Sequence, residues 1–104
     1  MDDIKNLGHN VFIAAGRVIL MRDDDFDPDD PVSREFLLRS GREVFTQHWD
    51  KPRYGDLTVV VFGPLRNGPF GGQGRVMDEM RMSGLPDDVR EQLRKEFPDH
   101  ASEI

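Results

Sequence analysis

Cysteine is absent from the chain's 104 residues. Its absence excludes disulfides, zinc–thiolate sites, iron–sulfur clusters and any thiol nucleophile. No apolar run comes near the roughly 18 residues of a membrane span, and Met1-Asp2-Asp3 has neither the basic segment nor the apolar core of a secretory leader. A cytoplasmic protein without membrane association is the expectation. Lysine is scarce as well, three residues beside eleven arginines, a bias that the base composition of a GC-rich genome explains as readily as function does. There is also no surplus of positive charge: the net charge is −6, and a polyanion would be repelled. Direct nucleic-acid binding is therefore not expected.

The negative charge is concentrated. Asp23, Asp24, Asp25, Asp27, Asp29 and Asp30 put six carboxylates into eight residues, and without them the chain holds 14 acidic and 14 basic residues. This tract, residues 23–30, suits a solvated loop that faces a basic patch on a protein partner. The alternation at Asp23, Asp25, Asp27 and Asp29 imitates the first half of a calcium loop, but Pro28 stands where such a loop needs glycine and Arg34 where it needs a bidentate glutamate. No metal site is assigned. Two phenylalanines sit in polar or flexible company, Phe26 in this tract and Phe70 between Pro69 and Gly71. Either is a candidate interface anchor, since binding energy concentrates in aromatic side chains; the alternative is that each folds back onto the core. Trp49 and Tyr54, flanking a DKPR tetrapeptide, are a second candidate contact patch.

A chain of this length forms one domain, residues 1–104, able to bury roughly 65% of its unfolded surface. Residues 1–10 read as a lead-in or a short turn of helix. Val11, Phe12 and Ile13, then Val18, Ile19 and Leu20, flank Ala14-Ala15-Gly16, which favours two strands hinged at Gly16. A single buried helix through Leu7, Val11, Ala14, Val18 and Met21 is the alternative. Asp30-Pro31 then marks a helix start, with an apolar stripe from Val32 through Phe36, Leu37, Val44 and Phe45. Gly41 either lies within this helix or ends it at Ser40, leaving Glu43 to Trp49 as a strand. Asp56 to Phe62 is a central strand, because its β-branched run shows no polar alternation. Arg75 to Ser83 reads as a helix capped by Gly84, and a last helix runs from Pro86 to Phe97. Residues 98–104 read as a frayed tail. The expected fold is α+β or small α/β, a short two- to three-stranded sheet covered by about three helices.

The most specialised stretch is Gly63 to Gly74, GPLRNGPFGGQG, with five glycines and two prolines in twelve residues. It is either a structural turn or an anion nest. In the second reading the N–H groups of Gly71, Gly72 and Gly74 point at a phosphate or carboxylate, with Arg66 and Arg75 as charged partners. Neither the phosphate-loop nor the dinucleotide pattern is met, since Arg75-Val76 follows the last glycine and the glycine spacing is wrong. Gly71-Gly72-Gln73 resembles the GGQ motif of class I peptide-chain release factors. The resemblance covers three residues and would imply a Gln73-dependent hydrolysis of peptidyl-tRNA; Gly74 and Arg75 stand where the bacterial motif continues His-Val-Asn.

No catalytic constellation is visible. His9, His48 and His100 have no metal-ligand spacing, and Ser33, Ser40, Ser83 and Ser102 lie in no nucleophile elbow. The expectation is a small acidic interaction protein that binds and regulates or inhibits one protein partner, without cofactor. Its contact residues would be Asp23, Asp24, Asp25, Phe26, Asp27, Asp29, Asp30, Trp49, Tyr54 and Phe70. The alternative is a phosphate or nucleotide binder using Arg66, Gly71, Gly72, Gln73, Gly74 and Arg75.

Overall fold

The computed structural model describes residues 4–47 and 52–104, without the side chains of 43–47. Trp49 and His48 lie outside the described residues.

Two tight turns set the first half of the sheet. Strands β1 (Ile4–Gly8), β2 (Val11–Ala14) and β3 (Arg17–Met21) form an antiparallel meander. His9-Asn10 and Ala15-Gly16 each have positive φ at both positions, 54° and 58° in the first turn and 50° and 77° in the second. Such mirror-image turns match the right-handed twist of the strands they join. Asn and Gly suit them; Ala15 does not, because its Cβ crowds the carbonyl in the left-handed region. Ala15→Asn is therefore expected to raise stability by about 1 kcal/mol, read as a higher urea midpoint at unchanged slope. Residues 4–8, expected as a lead-in, are thus a strand.

A helix, α1 (Pro31–Gln47), connects β3 to strand β4 (Thr58–Phe62), which pairs parallel to β3. The Asp30 carboxylate accepts from the Ser33 N–H at 3.2 Å, the N-cap expected from Asp30-Pro31. The helix passes through Gly41 to Gln47, so the alternative strand from Glu43 is ruled out over its described part. Gly41 is there for a different reason. A Cβ on it would lie 2.2 Å from the Ala14 carbonyl oxygen, so glycine lets the helix backbone touch the end of β2.

From β4 the chain makes a two-stranded ribbon, β5 (Arg66–Asn67) and β6 (Gln73–Gly74), and returns as β7 (Met77–Arg81) antiparallel to β4. A turn of 3-10 helix at Met82–Gly84 leads into α2 (Asp87–Glu96). The expected helix from Arg75 to Ser83 is replaced by this strand and turn. Met77 and Met80, three residues apart, would share one face of a helix. On the strand they point to opposite faces, Met77 packing beside Phe62 in one core and Met80 beside Val59 in the other.

The sheet is therefore five-stranded and mixed, ordered β1-β2-β3-β4-β7, with the ribbon as a separate two-stranded sheet. This corrects the expected two- to three-stranded sheet under three helices. Alternate residues feed two cores. Val11, Ile13, Val18, Val59 and Val61 face Val89 and Leu93 of α2, while Phe12, Ile19, Val60 and Phe62 face Leu37 of α1. All five residues of β4 are buried, as expected of a strand covered on both sides. The end expected as a frayed tail winds as 3-10 helix over Pro98–Glu103 and buries Ile104 in the α2-side core. Among the described residues no helix is long and apolar enough to cross a membrane.

Candidate functional site

β3 and β4 are the parallel pair of the sheet; Met21 lies opposite Phe62, and the Arg22 N–H donates to the Phe62 carbonyl at 2.8 Å. Beyond the carboxyl ends of such strands the following loops splay apart and leave a crevice, the usual ligand position of α/β sheets. The crevice here has a volume of about 400 Å³. Asp23, Asp25 and Phe26 after β3, Asp30, Val32, Ser33 and Phe36 at the start of α1, Pro64 and Leu65 after β4, and Arg75 line it. The aspartate tract and the glycine-rich stretch, forty residues apart in sequence, meet at this cleft.

The tract is folded by its own carboxylates. Asp23 Oδ1 accepts from the Asp25 N–H and Asp27 Oδ1 from the Asp29 N–H, both at 3.0 Å, two successive turns of the kind short acidic side chains favour. Asp30 caps α1. Among the described residues no group of three His, Asp or Glu side chains is disposed to hold a cation. Asp23 has a cationic partner: Arg75 Nη1 donates to its Oδ2 at 2.7 Å and to the Gly63 carbonyl at 2.9 Å. Both side chains of this pair are only about a tenth exposed, 9% for Arg75 and 10% for Asp23. The guanidinium lies 5.6 Å from the Phe26 ring centre and 5.3 Å from that of Phe36, within cation–π range. Its hydrogen bond to Asp23 holds that carboxyl below the usual value of 3.8, against the opposing effect of desolvation.

Asp24, Asp25, Asp27, Asp29 and Asp30 are exposed, and no ion pair joins them to a cation among the described residues. Phe26 is different. It is buried, edge-on to Phe12 at 5.7 Å, so this aromatic is a core residue rather than a surface anchor. Tyr54 is half-buried under Arg81, whose guanidinium stands 4.6 Å from its ring centre, away from the cleft lining. Trp49 falls in the undescribed segment.

The glycine-rich stretch is the ribbon, and Phe70 at its tip is 99% exposed. Gly71, Gly72, Gln73 and Gly74 are exposed along one arm and Arg66 along the other, where Arg66 pairs with Gly74 and Asn67 with Gln73. Of the groups in the nest reading, the Gly71 N–H donates to the Gly68 carbonyl at 3.1 Å, and Arg75 is engaged by Asp23.

Sequence reasoning missed Val32, Leu65 and Val76. With Phe70 they are the exposed large apolar side chains among the described residues, and all four stand around the cleft and ribbon. Val32 fits the apolar stripe of α1, yet it is 77% exposed and lines the cleft mouth. Leu65 carried a readable signal, being an apolar residue in a Gly/Pro loop just past a buried strand. Against protein-family models, curated proteins and solved structures, the chain matches none.

Proposed function

We propose that this protein is a binding module for one protein partner, which it occupies or regulates, and that the ribbon and the acidic cleft are its contact face. The carrying observation is that Phe70, Val32, Leu65 and Val76 are exposed at one end of the sheet, beside five aspartates that no ion pair joins to a cation among the described residues. Exposed aromatic and aliphatic side chains of this kind are the residues from which interface centres are built. Charges of one sign around them steer a partner of the opposite sign. The partner expected is thus a protein with a basic surface and a hydrophobic recess that receives Phe70.

A photo-crosslinking phenylalanine analogue at position 70, introduced in the cells that make the protein, tests this. One discrete protein adduct with a basic surface is expected, absent when the probe stands at Lys95 on α2. Identical adducts from both positions, or none from position 70, would sink the reading. With the adduct identified and purified, Phe70→Ala should weaken its binding by about 2 kcal/mol, roughly 30-fold in Kd. The thermal midpoint should not move, because the ring contributes nothing to the core. Replacing Asp24, Asp25, Asp27 and Asp29 with Asn should slow association at low salt and matter little at high salt.

A further inference from the structure

Resting on that reading, the geometry points to the cleft at the carboxyl ends of β3 and β4 as a slot for a single arginine or lysine side chain of the partner. The walls are apolar: Phe26, Phe36 and Pro64 inside, with Val32 and Leu65 exposed at the mouth. Asp25 and Asp30 stand on the lining as exposed carboxylates. A neutral apolar side chain would desolvate both without supplying an opposite charge, Asp30 keeping only the Ser33 N–H. An anion would meet three carboxylates against Arg75, which Asp23 already holds, and the α1 N-terminus that would otherwise attract it is capped by Asp30. A long basic side chain satisfies both features, burying its methylenes along the walls and keeping its charge at the rim. The protein's own Arg75 displays the chemistry in the same cleft, a guanidinium between Phe26 and Phe36 with a carboxylate on its Nη1. The cleft volume of about 400 Å³ leaves room for a second such side chain beside it.

The test is an NMR titration of the whole chain with N-acetyl-arginine amide, and in parallel with N-acetyl-citrulline amide, its uncharged isostere. Arginine amide should shift backbone signals of residues 23–36 and 64–65 saturably, citrulline amide should not, and Asp25→Asn should weaken the response three- to tenfold. Equal responses to both compounds, shifts elsewhere on the surface, or no shift at about 100 mM, where even a Kd of about 1 mM is saturating, overturns the slot. A partner crosslinked from position 70 alongside a silent cleft would leave the interaction reading standing and remove this one. A responding cleft without a position-70 adduct would do the reverse.

Discussion

Gly41→Ala is expected to destabilise the protein by about 2–3 kcal/mol, the cost of inserting an atom into a packed interface. At about 4–8 °C per kcal/mol for a domain of this size, the melting temperature should fall by about 10 °C or more. Helix propensity alone forecasts the opposite sign, a gain of about 1 kcal/mol for replacing glycine within a helix. The packing term wins because the new Cβ would sit 2.2 Å from the Ala14 oxygen and 2.8 Å from its carbonyl carbon. These are backbone atoms fixed in the β1–β2–β3 ladder, so no rotamer change relieves the overlap. Arg39→Ala on the exposed side of α1 is the control and should change stability little. Thermal melts of the two variants decide the matter. A rise in stability for Gly41→Ala would mean that α1 and β2 do not approach this closely.

Arg75→Ala should cost about 3 kcal/mol, in the lower part of the range for breaking a buried ion pair because the pair sits at the edge of a cleft. Three things are lost together. Asp23 is left without its cation, the Gly63 carbonyl without its donor at 2.9 Å, and the Phe26 and Phe36 rings without the guanidinium between them. Arg75→Lys should recover only part of this, since a point charge cannot reach both oxygens and stack on two rings. The pH dependence separates the electrostatic share from the packing share. Asp23 has its carboxyl depressed by Arg75, so its contribution is present above the unfolded pKa of 3.8 and is lost as pH falls through the lower folded value. Urea midpoints of the wild type and Arg75→Ala should therefore lie far apart near neutrality and draw together below about pH 4. A constant gap down to pH 2 would assign the loss to packing alone.

These two residues show where the sequence was readable. Gly41 was visible as an anomaly in a helical pattern, with continuation or termination both compatible; the carbonyl it accommodates lies 27 residues earlier. Arg75 was legible as a charged residue beside glycines, which suggests an anion site. Its actual partner, Asp23, is 52 residues away, and an ion pair of that separation has no local trace. The acidic tract and the glycine-rich stretch were each recognisable, but their meeting at one cleft was not.

Local chemistry determined a good deal: the hairpin hinge at Ala15-Gly16, the Asp30-Pro31 helix start, the doubly covered strand ending at Phe62, and the helix Asp87–Glu96 all follow from turn preference, capping and β-branching. Tertiary structure alone decided the rest. β1 and β7 are the edge strands, half-exposed and rich in polar residues. Their identity comes from the ladders they complete rather than from their own composition, and the three-residue spacing of Met77 and Met80 suits a helix face, fitting a strand only because each face of the sheet has its own core. The same holds for the two phenylalanines in unusual company. Phe26 and Phe70 look alike in sequence, yet one closes the core against Phe12 and the other stands in solvent at the ribbon tip. Burial depends on what the chain brings alongside a residue, and that is settled only when distant segments pack.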